Sequence, residues 1–178
     1  MTISVKARTA GVFYLLTVVT GALALAFDNG RLIANLIATA WYIVVTILFY
    51  QLFMPVNKRL SLVAAFFSFV GCPVGALGAF DLAPLPLNSL VFFGCYCVLT
   101  GYLIFRSTFL PRILGVMMAL GGLGWLTYLS SPLAASLFPY NMASAIIAET
   151  LLTLWLLVFG VNVQRWNEQA GARGNLTQ

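Results

Sequence analysis

Six apolar runs follow one another along this chain, separated by short polar breaks. A helix rises about 1.5 Å per residue, so about 20 apolar residues cross the hydrocarbon core of a bilayer. The fold class is therefore predicted to be all-α, an integral membrane bundle of six transmembrane helices with short turns that forms a single transmembrane domain. The predicted helices cover residues 10–27, 32–54, 60–80, 87–105, 113–129 and 142–163, followed by a short polar tail at 164–178.

The composition excludes a soluble globular protein. The chain is 62% hydrophobic and 7% charged, whereas soluble domains carry about 25% charged residues. The net charge of +5 does not indicate a nucleic-acid partner, because the cations stand singly or in pairs at the ends of the apolar runs and not along one face. Membrane lipids are the partners that this pattern predicts.

The distribution of cations predicts the orientation. If both termini are cytoplasmic, only Arg31 lies outside, as the positive-inside rule favours. The first apolar run also resembles a signal peptide with small residues near its end, but its length is adequate for a first spanning helix. The predicted cytoplasmic cations are Lys6, Arg8, Lys58, Arg59, Arg106, Arg112, Arg165 and Arg173.

The sequence contains no histidine and no C-x-x-C pair. Its three cysteines, Cys72, Cys95 and Cys97, all lie within apolar runs, where they are expected to pack as small apolar residues. No metal site and no cofactor are predicted, and metal or redox enzymes are disfavoured.

Glu149 is the most informative polar residue. It lies seven residues into the last predicted helix, about 10 Å from the outer surface. An ionisable side chain within a membrane costs about 2.5–3.5 kcal/mol and is expected to face the bundle interior. Two interpretations remain open. In one, Glu149 forms the floor of a pocket that opens towards the outer leaflet; in the other, it is structural, either protonated or paired with Arg31.

Other polar residues also concentrate in the outer half of the predicted bundle, and they complete the candidate sites. For catalysis, Glu149 and Asp81 are candidates for a general acid or base. For ligand binding, the candidates are Glu149, Arg31, Asn35, Asn88 and Asp28.

Three classes of function are compatible with this pattern. The first is a protein without catalytic activity that binds a lipid or a small lipophilic molecule in the outer half of the bundle. The second is an intramembrane enzyme that uses Glu149 on a lipid or isoprenoid. The third is a small transporter or a subunit of a homo-oligomer, with the glycine-rich faces of the third and fifth helices as contacts between copies.

Four sequence blocks carry a family resemblance: ARTAGVFYLLTVVTG, LFMPVNKRLSLVAAFF, GYLIFRSTFLPRILG and AETLLTLWLLVFGVN. They resemble a bacterial membrane-protein family known only as domain of unknown function DUF4386. The resemblance implies a multi-pass protein of the bacterial inner (cytoplasmic) membrane, and it brings no established activity or catalytic residue. The chain departs from the family pattern at Ser68, where a charged residue is frequent, and near Tyr96, where a histidine is common.

Overall fold

The computed structural model of the chain describes residues 2–27, 30–80, 82 and 88–174. Two candidate residues, Asp28 and Asp81, lie outside these ranges. Within them the chain forms α-helices and no strand, which confirms the predicted all-α class. The helices are α1 (Ile3–Ala26), α2 (Arg31–Phe53), α3 (Lys58–Ala79), α4 (Ser89–Arg106), α5 (Arg112–Leu126), α6 (Ser131–Leu137), α7 (Tyr140–Val158) and α8 (Val163–Gly174).

Six of these helices, α1 to α5 and α7, are long and apolar enough to cross a membrane. They form a ring in which each helix packs against its neighbours in the chain, and α7 closes the ring against α1. We call the end of the ring where α1 begins and α7 ends the terminal end, and the other the distal end. The largest fully buried side chains fill the interior, among them Tyr14, Phe49, Phe53, Tyr96, Met118, Leu152 and Leu156.

Local sequence signals account for several helix boundaries. The side chains of Asn57 and Asn88 accept hydrogen bonds from backbone N–H groups in the first turns of α3 and α4, as N-cap residues do. Gly160 follows α7 with a φ of 67°, a left-handed conformation in which glycine has no steric penalty. Asn57 and Asn88 thus mark the beginnings of α3 and α4, and Gly160 marks the end of α7.

Glycines hold α4 and α5 at very short separation. A Cβ atom on Gly101 would lie 2.6 Å from the Gly115 carbonyl oxygen, and one on Gly122 would lie 2.8 Å from the Gly94 carbonyl oxygen. Gly124 similarly faces the backbone of α7. The glycines of α5 are therefore used inside the protein, so the expectation that they form contacts between copies was wrong for this helix. A homo-oligomer with another interface remains a prediction.

Two segments contain more regular structure than the apolar pattern indicated. The predicted outer loop before the last spanning helix contains α6, and the predicted polar tail folds as α8. Tertiary contacts stabilise α8, because the Trp166 Nε1–H donates to the Leu52 carbonyl oxygen at 2.9 Å and the Thr108 backbone N–H donates to Gln169 Oε1 at 3.1 Å. The apolar pattern of the sequence cannot predict these hydrogen bonds, because they join polar groups at the ends of different helices.

Candidate functional site

Glu149 lies at the midpoint of α7, which begins at Tyr140 and ends at Val158. Nine residues correspond to about 13 Å along the helix axis, slightly deeper than predicted because α7 begins two residues earlier. Its Oε1 accepts a hydrogen bond from the Trp125 Nε1–H at 2.9 Å, and the Cys97 thiol donates to the same oxygen at 3.7 Å. The carboxyl group thus connects α7 to α5 and α4.

Three tyrosines surround this carboxyl group in the ring interior. The Tyr42 ring lies 5.9 Å from that of Tyr14 and 5.7 Å from that of Tyr96, both in edge-to-face geometry. The Tyr14 hydroxyl also lies close to the Glu149 carboxyl group. We call Tyr14, Tyr42, Tyr96 and Glu149 the tyrosine layer.

The hydroxyl groups of the tyrosine layer have unusual surroundings. Each is buried, and none makes a hydrogen bond of ordinary geometry with another described residue. A buried polar group without a partner costs about 1–3 kcal/mol, so most proteins avoid such groups. The layer therefore contains three buried hydroxyl groups that lie near one another and near Glu149 without forming hydrogen bonds of ordinary distance and angle.

A second polar cluster lies between the tyrosine layer and the terminal end. Thr46 on α2 and Ser68 on α3 share a buried hydrogen bond of 2.6 Å. Beside it is a cavity of about 10 Å³ lined in part by Thr46, Ser61, Tyr96 and Thr100. This space is comparable to that of one water molecule, and the hydroxyls of Ser61 and Tyr96 would provide its partners.

The Thr46–Ser68 bond is expected to couple α2 and α3 measurably. A double-mutant cycle with Thr46→Val and Ser68→Ala should give a coupling free energy of about 0.6–1.7 kcal/mol, the range for interhelical hydrogen bonds in membranes. The measurement is the free energy of unfolding in mixed micelles. The control cycle pairs Thr39→Val with Ser68→Ala and should give a coupling near zero, because Thr39 bonds only within its own helix. Equal coupling in both cycles would contradict the assignment.

Burial is uneven on the two sides of the tyrosine layer. Helix α2 begins at Arg31, but its buried residues run only from Tyr42 to Phe53. The buried residues of α3 end at Cys72, and those of α4 begin at Gly94. These three helices are therefore tightly packed towards the terminal end, and their described side chains are half-buried or exposed towards the distal end.

The predicted site residues are only partly brought together. Arg31 and Asn35 precede Tyr42 by eleven and seven residues, which places all three on one face of α2. The offset of Arg31 is about 16 Å along the axis, and Glu149 is bonded to Trp125 instead of Arg31. Asn88 is exposed and caps α4. The structure thus gives Asn88 a capping role, and among the described residues it shows no ion pair between Arg31 and Glu149.

Sequence reasoning treated Tyr14, Tyr96, Cys97 and Trp125 as ordinary packing residues and gave no role to the Tyr42 hydroxyl. The observed helix bounds relate the three tyrosines and the predicted bounds do not, because α1 begins at Ile3 and not at residue 10. Tyr14 lies eleven residues after the first residue of α1, Ile3, and Tyr42 lies eleven residues before the last residue of α2, Phe53. Tyr96 lies ten residues before the end of α4. With these bounds, the three tyrosines lie at nearly equal distance from the same end of the ring and so form a common layer.

The ring of six apolar helices defines a multi-pass α-helical membrane protein. Residues 86–160 match the model of a family described as "Domain of unknown function (DUF4386)". This match, over 75 of the 178 residues, supports the family resemblance that the sequence blocks indicated, and it spans α4 to α7, including Glu149, Trp125 and Cys97. Comparison with curated proteins and with solved structures found no match.

Proposed function

We propose that this protein binds a small lipophilic molecule with a hydrogen-bonding group on the distal side of the tyrosine layer. The observation that supports this most directly is the set of buried tyrosine hydroxyls beside Glu149, none of which forms a hydrogen bond of ordinary distance and angle with another described residue. A ligand with a hydroxyl, carbonyl or amine group would satisfy them. Ligand sites commonly combine apolar walls with a few polar groups that fix orientation, and the tyrosine layer has this character.

The residues on the distal side suit such a ligand. Phe93 packs on Tyr42 with ring centroids 4.8 Å apart and is itself only half-buried. Thr39 and Asn35 lie on the same face of α2 as Tyr42, nearer the distal end, and both are also half-buried. Arg31 is exposed at the end of this face. In the proposed arrangement, the apolar part of the ligand contacts Phe93 and its polar group contacts Tyr14, Tyr42 or Glu149.

We further propose that the protein resides in a bacterial cytoplasmic membrane with both termini in the cytoplasm. The cations at the terminal end support this orientation through the positive-inside rule. The distal side of the tyrosine layer then faces the outer leaflet. A lipophilic molecule would reach the site from the outer leaflet or from the extracytoplasmic side.

The test is mass spectrometry of small molecules that remain bound after purification into nanodiscs. Wild type should retain one lipophilic species. Tyr42→Phe and Glu149→Gln should each reduce its retention about tenfold, which corresponds to one lost hydrogen bond of about 1.4 kcal/mol. Tyr102→Phe is the matched control, because Tyr102 is 50% exposed on the outside of the ring, and it should behave as wild type.

Three outcomes would contradict or change this proposal. Bulk lipid alone, in the same amounts in all four proteins, would leave the tyrosine layer without a ligand. If Glu149→Gln instead lowers the thermal stability and changes no bound species, Glu149 has a structural role. If added lipids are chemically converted by wild type and not by Glu149→Gln, the site is catalytic, as in the second class of function.

A further inference from the structure

A polar groove lies at the terminal end of the bundle, on the opposite side of the tyrosine layer from the proposed ligand site. It has a volume of about 710 Å³ and lies between the α4–α5 turn, the start of α5 and helix α8. Hydrogen bonds hold its two walls together, because Thr108 Oγ1 donates to Gln169 Oε1 at 3.1 Å and Gln169 Nε2 donates to the Arg106 carbonyl oxygen at 3.4 Å. The groove is therefore part of the folded structure.

Arginines dominate the charge of this groove. Arg112 and Arg165 line it, and the exposed Arg106 lies beside it as the last residue of α4. Arg165 donates one weak hydrogen bond, at 3.4 Å, to the Thr108 carbonyl oxygen, and the Arg112 guanidinium lies 5.8 Å from the centre of the Phe105 ring. These contacts leave most guanidinium N–H groups free for an anion.

One acidic side chain also lines the groove. The Glu168 carboxylate accepts a hydrogen bond from the Gln164 side chain one turn earlier on α8, at 3.0 Å. Among the described residues it forms no ion pair with Arg112 or Arg165. The groove and the adjoining Arg106 thus carry three positive charges against one negative charge.

An apolar stripe begins directly beside the charged groove. It runs along the outside of α5 at helical spacing, so it faces the lipid hydrocarbon on a spanning helix. The stripe consists of Ile113, Val116, Leu120 and Leu123, which are 63%, 41%, 55% and 54% exposed. A phosphate in the groove would therefore have a surface for its acyl chains directly below it.

We propose that this groove binds the headgroup of an anionic phospholipid, with the phosphate held by Arg112 and Arg165 and the acyl chains lying along the α5 stripe. Guanidinium groups pair with phosphate through two parallel hydrogen bonds, which favours arginine at such sites. Basic pockets at the cytoplasmic ends of spanning helices bind anionic headgroups for the same reason. A lipid without a compensating ammonium group fits best, because the groove already has an excess of cations.

The test is titration of the full chain in detergent with phosphatidylglycerol or with phosphatidylcholine of the same acyl chains, followed by native mass spectrometry. Wild type should bind phosphatidylglycerol more tightly than phosphatidylcholine. Arg112→Gln and Arg165→Gln should each weaken phosphatidylglycerol binding about fivefold, as expected for one arginine near an anionic surface. Arg59→Gln is the matched control, because Arg59 is an exposed cation at the same end of the bundle and does not line the groove.

Three results would overturn this inference. Equal affinity for the two lipids would show that charge is not recognised. Equal weakening by all three substitutions would indicate general attraction between cations and anionic lipid. Competition by inorganic phosphate as strong as that by phosphatidylglycerol would show that the acyl chains contribute nothing. None of these results depends on the tyrosine layer, so Tyr42→Phe should bind phosphatidylglycerol as wild type does.

Discussion

Gly101→Ala is expected to separate α4 from α5 and to give a large loss of stability. The new Cβ atom would lie 2.6 Å from both the Ala119 backbone nitrogen and the Gly115 carbonyl oxygen. Backbone atoms cannot rotate away as a side chain can, so the whole helix must move. We expect a destabilisation of about 3 kcal/mol, at the upper end of the range for overpacking.

The measurement is the free energy of unfolding in mixed micelles, and the same substitution elsewhere provides the control. Gly21 on α1 and Gly78 on α3 have no atoms within 4 Å of the Cβ position. Alanine at these positions should be neutral or stabilising by up to about 1 kcal/mol, since alanine favours the helix over glycine. If Gly101→Ala is no more destabilising than Gly21→Ala, the close approach of α4 and α5 is not the main source of their association.

Asn141→Ala is also expected to destabilise the protein strongly, because this one side chain connects three segments. Its Nδ2 donates to Thr127 Oγ1 at 2.9 Å and to the Ala134 carbonyl oxygen at 3.2 Å, and its Oδ1 accepts from the Met142 backbone N–H at 2.8 Å. Asn141 is only 5% exposed. Alanine would remove all three hydrogen bonds and leave buried polar groups unpaired, which is expected to cost about 2–3 kcal/mol.

Two further variants separate the contributions of Asn141. Asn141→Asp keeps an oxygen for Met142 but removes the donor to Thr127 and Ala134. Its free energy of unfolding should therefore lie below that of wild type, and its α6 should be loosened. Ser136→Ala is the control, because the exposed Ser136 bonds only to the Leu133 carbonyl oxygen within α6. Amide hydrogen exchange of α6 should increase for both Asn141 variants and stay unchanged for Ser136→Ala. Unchanged exchange in Asn141→Ala would contradict the connecting role.

The candidate site could be predicted only in part from the sequence. Glu149 was found because an ionisable residue within an apolar run stands out by its desolvation cost alone. Tyr42 and Cys97 did not stand out, because aromatic and small residues are common in spanning helices whether or not their polar atoms face one another. Trp125 is recognised as a partner of Glu149 only when α5 and α7 are placed side by side. Asn35 and Arg31 remain candidates for ligand binding.

The sequence by itself determined the helical class, the six spans and their alternation. These follow from one local requirement: within a bilayer, every backbone polar group must be hydrogen-bonded inside its own helix. The length of each apolar run is therefore enough to identify a spanning helix. Only the tertiary structure decided that the tyrosines meet at Glu149, that the glycines of α5 face inwards and that α8 docks on the α4–α5 turn. These features depend on the rotation of each helix about its axis and on its choice of neighbours. In a chain that is apolar on nearly every face, no hydrophobic stripe marks that rotation, and close packing between particular side chains determines it.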